Sequence, residues 1–243
     1  MLSRKDWGGG SGDDRFTDEL SQLKRQGASV LVVGSVRTEQ RRDVSRRLLG
    51  QATSQPRRRV LVSTTGATHT HLAEDETESS ETLTRVNYAT QARSATSETA
   101  ASETASSGPG PISPSADESP VTTTTLADLG IAISSAIEGF ETEADGLAPA
   151  ELRVGVDSLV PLIEEYGAER VFKFVHLTNG RTRDTDGMIH YHLPMDRNSD
   201  VVSVLTPLFD IVIELREQNG TFQERWSIND GDLSSGWISI SQS

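Results

Sequence analysis

The chain contains no cysteine among its 243 residues. Disulfide bonds, thiolate metal sites and thiol nucleophiles are therefore excluded. Lysine is also scarce, since only Lys5, Lys24 and Lys173 occur and the other twenty of the 23 basic residues are arginine. No apolar run approaches the length that spans a membrane. We therefore expect a cytoplasmic protein without a membrane segment.

The charge that is present is mostly negative. Asp and Glu number 36 against 23 Lys and Arg, and the formal net charge is −13. A carboxylate-rich surface stays hydrated when salt screens its charge, so this composition resembles that of halophilic, haloarchaeal proteins. An ordinary acidic protein from a GC-rich genome is the alternative. Either origin disfavours nucleic acid as a partner.

Two stretches have the composition of disordered chain. Residues 1–14 are rich in Gly, Asp and Ser, and residues 92–122 consist mainly of Ser, Thr, Glu, Ala, Gly and Pro. Such segments bury too little apolar surface to offset the chain entropy lost on folding. Because strand-like patterns resume after residue 122, we predict a single α/β domain over 15–243 with a low-complexity insertion at 92–122.

Short apolar runs predict the strands of a sheet. The predicted strands are 29–34, 60–64, 84–88, 152–156, 171–178, 188–193, 209–216 and 224–228. Capping residues and helical spacing predict helices at 17–26, 38–49, 125–140, 158–166 and 198–205. Strands alternating with helices, followed by a hairpin turn at 218–221, indicate a three-layer, mostly parallel α/β sheet with antiparallel edge strands.

The run Leu152–Tyr166 reads as a buried strand that passes directly into a helix. Ser158 is placed to cap that helix, and Gly167 to end it. Asp157 would lie at the carboxyl end of the strand, where open α/β sheets place ligand chemistry. The simpler interpretation is that Asp157 hydrogen-bonds the adjacent turn.

This order of elements resembles the RecA/KaiC-like branch of the P-loop ATPases. Residues 30–34 stand where the first strand and the phosphate loop would be, and Leu152–Ser158 resembles the Walker B strand, whose aspartate holds magnesium through water. The runs 152–159, 187–194 and 209–216 also resemble a group of uncharacterised haloarchaeal proteins, some with signal-transducer-like names. Because RecA-type domains commonly assemble edge to edge, the resemblance implies a protein partner or a homo-oligomer.

The phosphate loop departs from the pattern of that family. A functional loop reads G-x-x-x-x-G-K-[ST], with backbone N–H groups and a lysine on the phosphates and a hydroxyl on magnesium. Here Gly34 and Ser35 open the loop, but the last three positions are Glu39, Gln40 and Arg41.

The resemblance therefore implies a degenerate nucleotide site that has no catalytic residue and holds neither ATP nor magnesium. Its positions are Gly34, Ser35, Glu39, Gln40, Arg41, Asp157 and Ser158. The implied function is that of a regulatory or signalling protein acting through protein contacts. An ATP-binding protein or ATPase with a non-standard phosphate loop is the alternative.

Three histidines form a candidate metal site. His190 and His192 alternate on one predicted strand, and His176 falls on the predicted strand 171–178. Imidazoles at positions i and i+2 can both ligate a metal, and Asp157 would add a carboxylate. Histidines on strands are more often hydrogen-bonded structural residues, which is the competing interpretation.

Arginines concentrate on the helix that follows the first strand. They are Arg37, Arg41, Arg42, Arg46 and Arg47. Packing this helix on the sheet requires only Val44, Leu48 and Leu49, so the guanidinium groups are available for carboxylates. Those carboxylates belong either to this chain, which makes the arginines a solvated face, or to an acidic protein partner.

Overall fold

A computed structural model describes residues 11–50, 57–66, 82–90, 120–228 and 231–240. The helices are α1 (Ser11–Gln26), α2 (Thr38–Leu48), α3 (Leu126–Ala144), α4 (Val160–Tyr166), α5 (Ala168–Arg183) and α6 (Asp200–Leu205). The strands are β1 (Ala28–Val33), β2 (Arg58–Ser63), β3 (Leu83–Tyr88), β4 (Val121–Thr123), β5 (Leu152–Val156), β6 (Met188–Leu193), β7 (Ile211–Gln218), β8 (Thr221–Ile228), β9 (Leu233–Ser234) and β10 (Ile238–Ser239).

The ten strands in the described residues belong to one sheet, whose order is β10-β8-β7-β1-β6-β5-β2-β3-β4 with β9 paired to β8. Neighbouring strands from β7 to β4 are parallel, whereas β8 runs antiparallel to β7, β9 and β10. The predicted class, a mostly parallel α/β sheet with antiparallel edge strands, is confirmed. Strands on both sides of the 92–122 stretch share this sheet, because β4 pairs with β3 and β5 pairs with β2.

Helices cover both faces of the sheet and make it the middle of three layers. The apolar side chains of α1 and α2 pack on one face, against Val30 and Val32 of β1. Those of α3, α4, α5 and α6 pack on the other face, against Leu31 and Val33. Residues 30–33 of β1 are therefore apolar on both faces of the strand, which is why they read as a continuous hydrophobic run.

The structure confirms several element boundaries that local sequence signals predict. Thr125 caps α3 by accepting a hydrogen bond from the backbone N–H of Asp128. The β7–β8 hairpin turns through Asn219 and Gly220, which have φ values of 53° and 73°. Positive φ at both central residues is typical of the two-residue hairpin turn that an Asn-Gly pair predicts.

The predicted strand at 171–178 is wrong, because these residues form the middle of α5. The inward side chains Val171, Phe174, Val175 and Thr178 follow helical spacing and are all buried. Between them the chain exposes Lys173 and Leu177 to solvent. The β-branched and aromatic residues of this run favour a strand, and the packing of one helical face on the sheet overrides that preference.

Two predicted disordered ranges are too long. Helix α1 begins at Ser11, inside the range 1–14, and β4 occupies Val121 and Thr122, inside the range 92–122. Val121 pairs with Val86 of β3, and this ladder orders a segment too short to show a pattern of its own. Residues 1–10 and 91–119 lie outside the described residues. The two-residue strands β9 and β10 also gave no sequence signal.

Within the part of the chain that the structure describes, no helix has the length and apolar character needed to cross a bilayer.

Candidate functional site

The candidate nucleotide site lies at the carboxyl edge of the parallel strands. The loop 34–37 follows β1 there, and Asp157 follows β5. Residues 63–65 comprise the last residue of β2 and the two residues after it. Strand β6 separates β1 from β5, while β2 lies directly beside β5. Asp157 is therefore closer to the end of β2 than to the loop after β1.

The loop after β1 is tied to its neighbours through its own polar groups. The N–H of Gly34 donates to the carbonyl oxygen of Met195 at 2.9 Å, and the hydroxyl of Ser35 donates to that of Pro194 at 3.1 Å. Gly34 has a φ of 109°, and a Cβ at this position would lie 2.1 Å from the carbonyl oxygen of Leu215. Glycine is required here for the close approach of β1 to β7, which is a packing role.

The three residues that differ from the phosphate-loop pattern, Glu39, Gln40 and Arg41, lie at the start of α2. Glu39 is exposed, whereas Gln40 is buried and its Oε1 has no hydrogen-bond partner in the described part of the chain. Arg41 is half-buried and donates from Nη2 to the hydroxyl of Thr38 at 3.2 Å. Arg37, the residue before the helix, provides no side-chain cap. A functional phosphate loop would present a lysine ammonium and a Ser or Thr hydroxyl here. This turn instead presents the carboxylate of Glu39 and the guanidinium groups of Arg37 and Arg41.

Asp157 accepts hydrogen bonds at both carboxylate oxygens from the end of β2. Its Oδ1 lies 2.8 Å from both the backbone nitrogen and the hydroxyl of Thr64. Its Oδ2 accepts from the hydroxyl of Thr65 at 2.6 Å, with Ser63 Oγ and the Thr65 nitrogen each at 3.3 Å. A carboxylate offers about four acceptor positions, so these donors use its capacity. The simpler interpretation from sequence was that Asp157 hydrogen-bonds the adjacent turn. The structure shows such hydrogen bonds, but the turn is the one that follows the neighbouring strand β2.

Ser158 supports the entry into α4. Its hydroxyl oxygen accepts from the N–H of Val160 at 3.2 Å, but the N-cap position is Leu159 and no side chain caps the helix, so the predicted cap at Ser158 is wrong by one residue. Its carbonyl oxygen lies 2.6 Å from the hydroxyl oxygen of Thr64, whose single proton is shared between this carbonyl and Asp157 Oδ1. The hydroxyl-bearing run Ser63–Thr65, directly after a buried strand, was the sequence signal that could have identified the partners of Asp157.

The predicted three-histidine site is not assembled. His190 and His192 are buried on β6 and face α2, where their Nε2 atoms lie 3.1 Å and 2.7 Å from the hydroxyl oxygen of Ser45. His176 is exposed on α5, which packs on the opposite face of the sheet. Among the described residues, no group of three His, Asp or Glu side chains is arranged to hold a metal. The two strand histidines are structural partners of α2.

Most arginines of α2 contact groups of the same chain. Arg47 donates from Nη1 and Nη2 to the two carboxylate oxygens of Glu224, at 3.0 Å and 2.5 Å, and the Glu224 side chain is 1% exposed. Longer contacts join Arg37 to Glu217 at 3.7 Å and Arg46 to Asp43 at 3.6 Å. The expectation that the Arg47 fork is available to a partner is therefore wrong, because it neutralises a buried carboxylate of β8.

Three further arginines gather at the carboxyl end of α2. Arg59 Nε donates to the carbonyl oxygen of Leu49 at 3.0 Å, and Arg153 Nη1 lies 3.4 Å from that of Leu48. Burial, together with the charges of Arg57 and Arg59, lowers the pKa of Arg153 to about 10. Guanidinium groups at this position donate hydrogen bonds to the last carbonyl oxygens of the helix and interact favourably with the negative end of its dipole.

The sequence did not indicate a second polar cluster at the carboxyl edge. Tyr88, at the end of β3, donates its hydroxyl proton to Glu165 Oε2 at 2.7 Å and lies 2.9 Å from the hydroxyl of Tyr166. Burial raises the pKa of Tyr88 far above its ordinary value, and the hydrogen bonds to Tyr166 and Glu165 act in the same direction. Tyr88 is therefore a neutral donor that connects β3 to α4.

Comparison with known proteins yields one family. Residues 27–215, which extend from the residue before β1 into β7, match the model of a family of unknown function named DUF7504. The match leaves out α1 and the antiparallel strands β8, β9 and β10. No curated protein matches the chain. Because the matched region exceeds half of the chain and contains the whole parallel sheet up to β7, the protein belongs to the DUF7504 family.

Proposed function

We propose that this protein is a non-catalytic, RecA/KaiC-like regulatory or signalling protein of the cytoplasm that acts through protein–protein contacts. The observation that carries the proposal is the state of Asp157, whose two carboxylate oxygens accept hydrogen bonds from Ser63, Thr64 and Thr65. An aspartate engaged in this way holds two strands together and has little capacity left for the water shell of a magnesium ion.

The loop after β1 supports the same proposal. A phosphate cradle needs free backbone N–H groups and a cation that reaches the phosphates. The N–H of Gly34 is used by Met195, and Glu39 would place a negative charge beside the phosphates. Binding ATP at this edge would require the loop to give up its contacts with the chain after β6. The proposal therefore assigns the site neither ATP nor magnesium as a cofactor.

A calorimetric titration with ATP and magnesium tests this proposal. The wild-type protein should show no saturable binding up to millimolar ATP, where a dissociation constant of about 1 mM corresponds to only about 4 kcal/mol of binding free energy. Saturable binding that is lost in both Arg41→Ala and Asp157→Asn, with the circular dichroism of both variants unchanged, would establish the alternative ATP-binding function. Arg85→Ala, an exposed position on β3, is the control for non-specific effects of removing an arginine.

The surface proposed to meet a protein partner is the arginine face of α2. With Arg47 engaged by Glu224, the remaining members are Arg37, Arg41, Arg42 and Arg46. Arg42 makes no ion pair with any described residue, and the contact between Arg46 and Asp43 joins two half-exposed side chains at 3.6 Å. Such exposed pairs contribute only about 0.2–1 kcal/mol, and Arg42, which has no ion pair among the described residues, carries the proposed contact with carboxylates of another protein.

Replacing Arg42 and Arg46 together by glutamate should leave folding intact and reduce co-purification with a partner protein at least several-fold. The reason is that carboxylates placed opposite carboxylates repel each other where the guanidinium groups attracted them. Quantitative affinity purification at physiological salt measures the change, with Arg85→Glu as the matched control. If the partner is retained equally by both variants, the arginines form a solvated face and the partner binds elsewhere.

A further inference from the structure

The large hydrophobic side chains that are exposed in the described part of the chain lie on one side of the molecule. Ile131 of α3 is 64% exposed, Leu177 of α5 is 71% exposed, and Val204 of α6 is 49% exposed. The fourth, Val121, lies on the adjacent edge strand β4. The layer formed by α1 and α2 presents none among its described residues. Exposed aliphatic groups that cluster on one layer indicate an interaction surface.

A groove between α3 and α5 runs through this surface and has a volume of about 840 Å³. Its α3 side includes the small residues Ala127, Gly130, Ser134 and Ser135, and the buried ring of Phe174 lines it from α5. A Cβ at Gly130 would lie 3.8 Å from the Phe174 ring, in ordinary van der Waals contact, so the lack of a side chain at Gly130 leaves a hollow there, with room for an apolar group to touch the ring. The exposed side chains of Ile131 and Leu177 line the groove beside this hollow. The same face therefore carries both a protruding aliphatic side chain and a depression that could accept one.

The two helices run in the same direction, because each leads from the carboxyl edge of the sheet back to its amino edge. Contacts near both ends agree with this arrangement, since Tyr166 donates to the carbonyl oxygen of Thr124 and Arg181 pairs with Glu141. The groove therefore has an amino end near Thr124 and a carboxyl end near Glu141.

Opposite charges flank the two ends of the groove. Arg170 and Lys173 lie near its amino end, and Glu138 lies towards its carboxyl end. All three are exposed, and the only ion pair among them in the described structure is the solvent-exposed contact of Lys173 with Glu169. On the register set by the Tyr166–Thr124 and Arg181–Glu141 contacts, Arg170 lies about nine residues and Lys173 about six residues before the level of Glu138, or about 9–14 Å at the rise of an α-helix. Leu177 lies between the basic groups and Glu138.

We propose that this groove, here called the α3/α5 groove, binds a second copy of the same chain about a two-fold axis. A half-turn about an axis near Ser134 makes the helices of the two copies antiparallel. It then places Leu177 of each copy over the hollow beside Gly130 of the other, and Glu138 of each copy opposite Arg170 and Lys173 of the other. Because the protrusion, the hollow and both charges lie on one face, the surface complements itself, which is the property of a closed two-fold interface.

Self-association through the α3/α5 groove does not depend on the function proposed for α2, which lies on the opposite face of the sheet. It also explains how an acidic chain of net charge −13 can form a dimer. The facing charges are of opposite sign at the interface, although the two copies repel each other as a whole.

Sedimentation velocity over a range of concentrations tests the aliphatic contact. The wild-type protein should form a dimer, and Leu177→Glu should raise the dimer dissociation constant about tenfold or more, because it places a carboxylate in the apolar hollow. Leu177 is exposed, so circular dichroism and the urea midpoint should stay close to those of the wild type. Arg85→Glu should retain the wild-type dissociation constant. A wild-type protein that stays monomeric at every concentration would overturn the proposal and leave the groove to another occupant.

A charge exchange tests the two-fold geometry itself. Glu138→Lys alone, and Arg170→Glu combined with Lys173→Glu, should each weaken the homodimer, because like charges then face each other twice. Mixing the two variants should restore a dimer, since every facing pair in the mixed dimer is again of opposite sign. If the mixture stays monomeric while the wild type dimerises, the copies associate through another surface and the proposed interface is wrong.

Discussion

Replacing Asp157 by alanine should lower the free energy of unfolding by about 2–4 kcal/mol. The carboxylate is the acceptor for the backbone N–H and hydroxyl of Thr64 and for the hydroxyl of Thr65. Thr64 is fully buried, so its N–H would be left without an acceptor and without access to water. The loss would remove the side-chain link between the carboxyl ends of β2 and β5, which the backbone bond from the N–H of Asp157 to the carbonyl oxygen of Val62 would still connect. Urea denaturation followed by circular dichroism measures the change.

Asp184→Ala is the matched control for this prediction. Asp184 is an exposed aspartate that follows α5, and its removal should change the unfolding free energy by less than about 0.5 kcal/mol. A comparable small change for Asp157→Ala would show that the threonines do not need the carboxylate. In that case Asp157 would again be available to a magnesium ion, and the proposed loss of nucleotide chemistry would lose its main support.

Replacing Arg47 by alanine should lower the free energy of unfolding by about 2–4 kcal/mol. The change leaves the carboxylate of Glu224 buried without the two N–H donors that now satisfy it. Because the Arg47 side chain is 36% exposed, water can reach part of the vacated space, and the lower half of that range is expected. Arg47→Lys should recover part of the loss, since one ammonium replaces a two-point contact. Thermal and urea unfolding both measure the effect.

Arg42→Ala provides the control on the same helix. Arg42 is half-buried and makes no ion pair with the described residues, so its removal should change the unfolding free energy by less than about 0.5 kcal/mol. Equal stability of both variants would mean that Arg47 contributes nothing to the fold. It would then return to the arginine face that we propose for partner binding.

Sequence patterns were sufficient for most of the sheet because its central strands are buried on both faces. An element such as β1, with Val30 and Val32 packed on one side and Leu31 and Val33 on the other, has to be mainly apolar. The same principle identified β2 and β5. Caps and turns such as Thr125 and Asn219–Gly220 were also predictable, because each hydrogen bond or φ angle involves residues close together in the chain.

The candidate site was predictable in position but not in its contacts. Asp157 could be placed at the carboxyl end of a central strand from the sequence of β5 alone. That its partners are Ser63–Thr65 depends on β2 lying beside β5, and about ninety residues separate the two strands in the chain. Likewise, the partner of Arg47 is Glu224 because β8 turns back on β7 and reaches the face that carries α2.

The sequence by itself determined the alternation of strands and helices, the acidic surface and the altered phosphate loop, since each is a property of composition or of residues close together in the chain. Only the tertiary structure decided that residues 171–178 are helical, because one side of α5 packs on the sheet while Leu177 remains exposed. The tertiary structure also decided which polar side chains meet. It joined Ser45 to His190 and His192, and it left His176 on the other face of the sheet, because strand order and the choice of face depend on how the whole chain packs.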